Sequence, residues 1–110
     1  MIERVMLDLN RSEGIIGSAI LDLNKGEVEI EEPKGILTKK RDLLELIRAV
    51  FREKGFETLK DFGRIRSISI GFSKGYLFSV MENEKILISV GGKNSNLGWV
   101  RLQLSRIGRG

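Results

Sequence analysis

Between residues 65 and 90 three apolar runs are separated by short polar breaks, and no other stretch of the chain restricts its fold as strongly. The runs are Ile65 to Phe72, Tyr76 to Met81 and Lys85 to Val90, and the breaks are Ser73-Lys74-Gly75 and Glu82-Asn83-Glu84. Short segments rich in branched and aromatic side chains and bounded by turn formers read as strands. Breaks this short leave each strand only its sequence neighbour to pair with, antiparallel. A three-stranded meander is expected here.

The rest of the chain has to supply what covers this meander. Ile15-Ile16-Gly17-Ser18-Ala19-Ile20-Leu21 is apolar or small on both alternating faces, as a strand buried on two sides would be. Asn24-Lys25-Gly26 tolerates positive φ and separates it from Glu27-Val28-Glu29-Ile30-Glu31, which alternates acid with aliphatic and is closed by Pro33. Outward glutamates of this kind discourage unwanted strand addition, so the segment reads as an edge. Ile2, Val5, Met6 and Leu9 recur at helical spacing in residues 1 to 11, ahead of Gly14. A last helix is expected from Ser95 to Ile107, with Leu97, Val100, Leu104 and Ile107 as its stripe and Asn94 or Ser95 as its cap.

The middle helix, Thr38 to Lys54 with Gly55 as its cap, is unusual. Leu43, Leu44, Leu46, Ile47, Val50 and Phe51 spread over roughly 160° at ~100° per residue, more than one sheet face needs to cover. Its opposite side gathers Arg41, Arg48 and Arg52 with Glu45 beside them. The order α-β-β-α-β-β-β-α then implies an α/β chain of the α+β type: one five-stranded antiparallel sheet with helices on both faces. The strand from Ile15 belongs inside it, beside the last strand. At 110 residues the chain fits a single domain, 1–110.

Composition removes whole classes of function. With no cysteine and no histidine there is no thiolate nucleophile, no Cys-type zinc site and no imidazole base. The hydroxyls and carboxylates lack a partner to activate them, so neither an enzyme nor a cofactor is expected. The net charge of +4 is dispersed rather than blocked, and the few aromatics show no stacking arrangement, which argues against a nucleic-acid reader. No run is long enough to cross a bilayer, and Met1-Ile2-Glu3-Arg4 lacks the layout of a signal peptide, so a cytoplasmic protein without membrane insertion is expected.

Three short motifs dissolve on inspection. Gly91-Gly92-Lys93-Asn94-Ser95 lies between strand and helix, but Leu87 stands where a phosphate loop needs glycine and Asn94 where it needs a hydroxyl. Gly14-Ile15-Ile16-Gly17 matches a bare GXXG, yet its glycines border a strand and its inner residues are apolar, so tight packing of the backbone against a helix is the better use. Asp22, Asn24 and Gly26 echo a calcium loop without its downstream glutamate and read as a hairpin. Trp99 and Leu102 fall off the buried stripe of the last helix, where they either pack on the first helix near Leu7 or stand free as anchors.

Two segments together carry a likeness. The run from Gly14 to Gly26, glycine, two residues, glycine, small residue, aliphatics, aspartate and turn glycine, resembles the opening hairpin of roadblock domains. Asn94-Ser95-Asn96-Leu97-Gly98-Trp99-Val100-Arg101-Leu102-Gln103-Leu104 resembles the final helix of that family, and the element order matches along the chain. The resemblance implies a profilin-like roadblock fold and a homodimer, or a pair with another roadblock protein, joined through the middle helix and third strand. Leu43, Leu46, Ile47, Val50, Ser67 and Ser69 would line that interface. It further implies a non-catalytic module that regulates or scaffolds a Ras-like small GTPase, with Arg41, Glu45, Arg48 and Arg52 as the contact surface. A scaffold or motor-type light chain and a weak basic nucleic-acid binder are the alternatives.

Overall fold

The computed structural model describes residues 1–52, 61–63 and 65–107. Its elements are α1 (Ile2–Asn10), β1 (Ile15–Asp22), β2 (Glu27–Glu32), α2 (Arg41–Arg52), β3 (Ser67–Phe72), β4 (Gly75–Glu82), β5 (Lys85–Gly92) and α3 (Leu97–Leu104). The strands form one antiparallel sheet in the order β2-β1-β5-β4-β3. The meander, the edge position of β2 and the pairing of β1 with the last strand all stand as the sequence implies. Lys54 and Gly55, the expected end and cap of the middle helix, lie outside the described residues.

The three central strands bury both faces, and each face has its own core. Ile20, Phe78, Val80 and Leu87 pack under Val5, Met6 and Leu9 of α1 and Val100 and Leu104 of α3. On the other side Ala19, Leu21, Leu77, Ile86 and Ile88 pack under Ile47 of α2 and Ile36 and Leu37 of the loop before it. One polar contact crosses the first core layer: Ser18 Oγ and Ser89 Oγ share a buried hydrogen bond of 2.7 Å between β1 and β5. It satisfies both hydroxyls where water cannot reach them.

Several local readings are corrected. The last helix starts later than Ser95, because the Asn96 side chain, not that of Asn94 or Ser95, accepts from the Trp99 amide at 3.0 Å. Ser95 instead turns back, and its hydroxyl donates to Gly92 O at 2.7 Å. The middle helix starts at Arg41 rather than Thr38. Gly14 and Gly17 do serve close packing, but against loops. A Cβ on Gly14, at φ +86°, would meet Ser95 Cα at 2.7 Å, and one on Gly17 would meet Pro33 Cδ at 2.7 Å and Ile36 Cγ1 at 2.8 Å. Asp22 forms the hairpin turn, accepting from the Lys25 amide at 3.1 Å, and that bond leads in holding its carboxyl below the ordinary value.

The even alternation of β2 is broken by a register shift. Ile20 pairs with Ile30 while Leu21 pairs with Val28, so Glu29 is the extra residue of a bulge. Val28 therefore joins the core beneath α2, whereas Ile30 is turned to the other face and left 49% exposed. The same shift aims Glu31 at the loop before α2. Its Oε1 accepts from the Leu37 and Thr38 amides, each at 3.0 Å, and its Oε2 from Thr38 Oγ1 at 2.6 Å. Partial burial raises the pKa of this carboxyl, but the bonds from Thr38, Leu37 and Gly35 together outweigh it and bring it to about 2.

Because the folded-state pKa of Glu31 is depressed, its contribution is present above the unfolded value and fades as pH falls from 4.5 toward about 2. Glu31→Ala is expected to lower unfolding free energy at neutral pH by about 1 kcal/mol, as for loss of a helix cap. Urea unfolding repeated between those limits should show the wild-type advantage shrinking to nothing at the acid end.

Candidate partner-binding surface

The helix α2 is only partly seated. Ile47 alone among the six residues of its apolar arc is fully buried, Leu43, Leu44, Val50 and Phe51 are half-buried, and Leu46 is 37% exposed. One sheet face cannot cover an arc this wide, which is the physical reason the sequence pattern looked excessive. Ile47 thus supports the arc from beneath, while Leu43, Leu46 and Val50 border solvent.

Beside this helix the sheet ends in β3, which among the described residues pairs with β4 alone. Ile70 points under α2, whereas Ser67 and Ser69 are exposed on the opposite sheet face near Arg101 and Leu104 of α3. The residues expected to meet a second copy therefore fall on the two sides of one strand edge. That edge has no proline, no bulge and no charged side chain within Ser67–Phe72.

The four residues expected to meet a charged partner separate. Arg41 and Glu45 are exposed. Arg48 is half-buried instead, because its guanidinium donates to the Gly26 carbonyl in the β1–β2 turn. Arg52 is the last described residue of α2, and its side chain lies outside the described part. The continuous arginine ridge that helical periodicity implies is broken at Arg48 by this tertiary bond.

Basic charge gathers elsewhere, at the start of α2. A cleft of about 750 Å³ opens there, floored by Ile16, Leu43, Leu46 and Phe72 and rimmed by Lys39, Lys40, Arg41 and Lys74, with Asp42 the single acid. Ile16 and Phe72 are 56% and 50% exposed. A second register shift, between Ile15 and Gly17, sends Ile15 to the α1 side and Ile16 into the cleft. Sequence reasoning missed the cleft because Ile16 read as interior strand; a bulky Phe72 directly before the polar turn Ser73-Lys74 was the one available sign.

Among the described residues no group of three acidic side chains is placed to hold a metal ion, and no described helix is long and apolar enough to cross a membrane. The arrangement offers apolar contact, an open strand edge and positive charge.

No protein-family model and no curated protein matches the chain. Solved structures do. The Roadblock/LC7 domain of Streptomyces avermitilis superposes with a TM-score of 0.74 at 13% identity, covering 94% of this chain and 88% of that one. MglB of Myxococcus xanthus gives 0.75 at 18% identity, over 96% and 86% of the two chains. This is the roadblock fold. A third roadblock-fold structure, described as MglB with a tetrameric arrangement, gives 0.73 at 20% identity, over 96% and 80%.

The two arginines at either end of the described arginine set should behave differently. Arg48→Ala is expected to cost roughly 1 kcal/mol of unfolding free energy through loss of its bond to the Gly26 carbonyl. Exposed Arg41→Ala should stay within about 0.5 kcal/mol of wild type. Chemical denaturation of the two variants checks the pair.

Proposed function

We propose that this chain is a non-catalytic, cytoplasmic roadblock module that dimerises through β3 and α2 and regulates or scaffolds a Ras-like small GTPase. The observation that carries the reading is the terminal strand β3, unpaired on its outer side among the described residues, beside an apolar helix arc that its own sheet leaves partly uncovered. Pairing two such edges continues the sheet and covers Leu43, Leu46 and Val50 in one step, which removes apolar surface and satisfies backbone groups together. A tetrameric arrangement in a protein of the same fold supports self-association. The GTPase rests on the resemblance of the hairpin and tail segments to roadblock domains.

In such a dimer the partner meets the basic rim at the start of α2, chiefly Arg41, Lys39, Lys40 and Lys74, with Glu45 beside it. Arg48 holds the β1–β2 turn and takes a lesser part. A GTPase docking here presents acidic groups, and the module acts by contact, since the chain has neither histidine nor cysteine.

Light scattering should give about twice the 12.4 kDa chain mass. Leu46→Asp, placing a charge on the exposed part of the arc, should shift the protein toward monomer without unfolding it. With the GTPase recovered by pull-down from native extract, Arg41→Glu combined with Lys74→Glu should weaken binding about tenfold, mainly through association rate. Unchanged affinity with an intact dimer would remove the rim from the reading.

A further inference from the structure

The α1/α3 side of the sheet carries an exposed apolar surface that the dimer leaves unused. Leu7 on α1 is 54% exposed, and Trp99 and Leu102 on α3 are 44% and 58% exposed. Two side-chain bonds fix these helices against each other in antiparallel register. Arg106 Nη1 meets Asp8 Oδ2 at 2.7 Å, and the Trp99 indole N–H donates to Ser12 Oγ beyond the end of α1. The indole is thus held by its nitrogen while its ring remains open to solvent.

The charge around these side chains is positive. Arg4 and Arg11 bracket Leu7 at helical spacing and Arg101 precedes Leu102, all three exposed. Asp8 is neutralised by Arg106, which leaves Glu3 at the start of α1 and Glu13 in the turn after it as the exposed acids. Aliphatic side chains, a tryptophan and a ring of arginines, on the outer faces of two helices, are the composition of an interfacial membrane contact. Arginine stems lie along such a surface while their heads reach lipid phosphates.

The geometry of a strand-to-strand dimer adds a second argument. Two antiparallel β3 edges joined in one sheet are related by a twofold axis normal to that sheet, so both α1/α3 layers fall on the same side. Two patches then face one plane and engage it together, while α2 and its basic cleft face the other way. We propose that the α1/α3 face is a peripheral docking surface for an anionic membrane, an inference whose two-patch form rests on the dimer proposed above.

Trp99 is the chain's single tryptophan, so its fluorescence reports on this surface directly. The 110-residue chain, with its mass measured in parallel by light scattering, is titrated with phosphatidylcholine vesicles made with and without phosphatidylserine. Pelleting with the anionic vesicles, a blue shift of Trp99 emission and loss of both in high salt are expected. Leu102→Ser and, separately, Arg4→Glu with Arg11→Glu should each reduce binding about tenfold at unchanged dimer mass. A dimer of the right mass that ignores anionic vesicles overturns the proposal. So does a blue shift without lipid that accompanies a mass above that of the dimer, which would assign the patch to a further copy. A monomer that still pellets with the blue shift refutes the dimer and retains the lipid surface.

Discussion

Burial of β1, β5 and β4 on both faces is the constraint from which the other features follow. A strand apolar on two sides must have a layer over each, and the described residues form three α-helices to provide them. Two of these, α1 and α3, close one face together. The other face receives α2 and the loop carrying Ile36 and Leu37. The uneven division of helices leaves an open edge beside a partly exposed helix.

The loop before α2 shows how such a cover is held in place. Ile36 and Leu37 enter the core as if they belonged to a helix, although they lie outside one. Glu31 organises that segment from a strand, and it can do so because the bulge at Glu29 turns it toward the loop. Gly17 makes room for the same segment at Pro33 and Ile36. One inserted residue in β2 thereby positions the entry to the helix on which the proposed dimer depends.

The fold was legible in the sequence because period and burial agree over most of the chain. Ile15 to Leu21 read as interior strand, and the turns Ser73-Lys74 and Asn83-Glu84 left no alternative to a meander. What escaped were effects that arise between distant residues. Arg48 has the spacing of a solvent-facing ridge, yet a carbonyl from the first hairpin draws it in. Three candidate caps precede α3, and only the turn of Ser95 back to Gly92 decides that Asn96 takes the role. The bulges at Ile15/Gly17 and at Glu29 change which face a side chain occupies, and no pattern of period two announces them.

The two ends of the sheet are chemically unlike, and this decides how far the protein can assemble. At β2 every other position or more is glutamate, while β3 offers Ser-Ile-Ser-Ile-Gly-Phe with no charge at all. A sheet with two plain ends could lengthen copy by copy into a fibre. In the proposed dimer, joining β3 to β3 would use up both plain ends and leave a ribbon bounded by negative strands at each extremity. Growth of that dimer would be self-terminating, so strong strand-to-strand affinity would coexist with a finite particle even at high concentration.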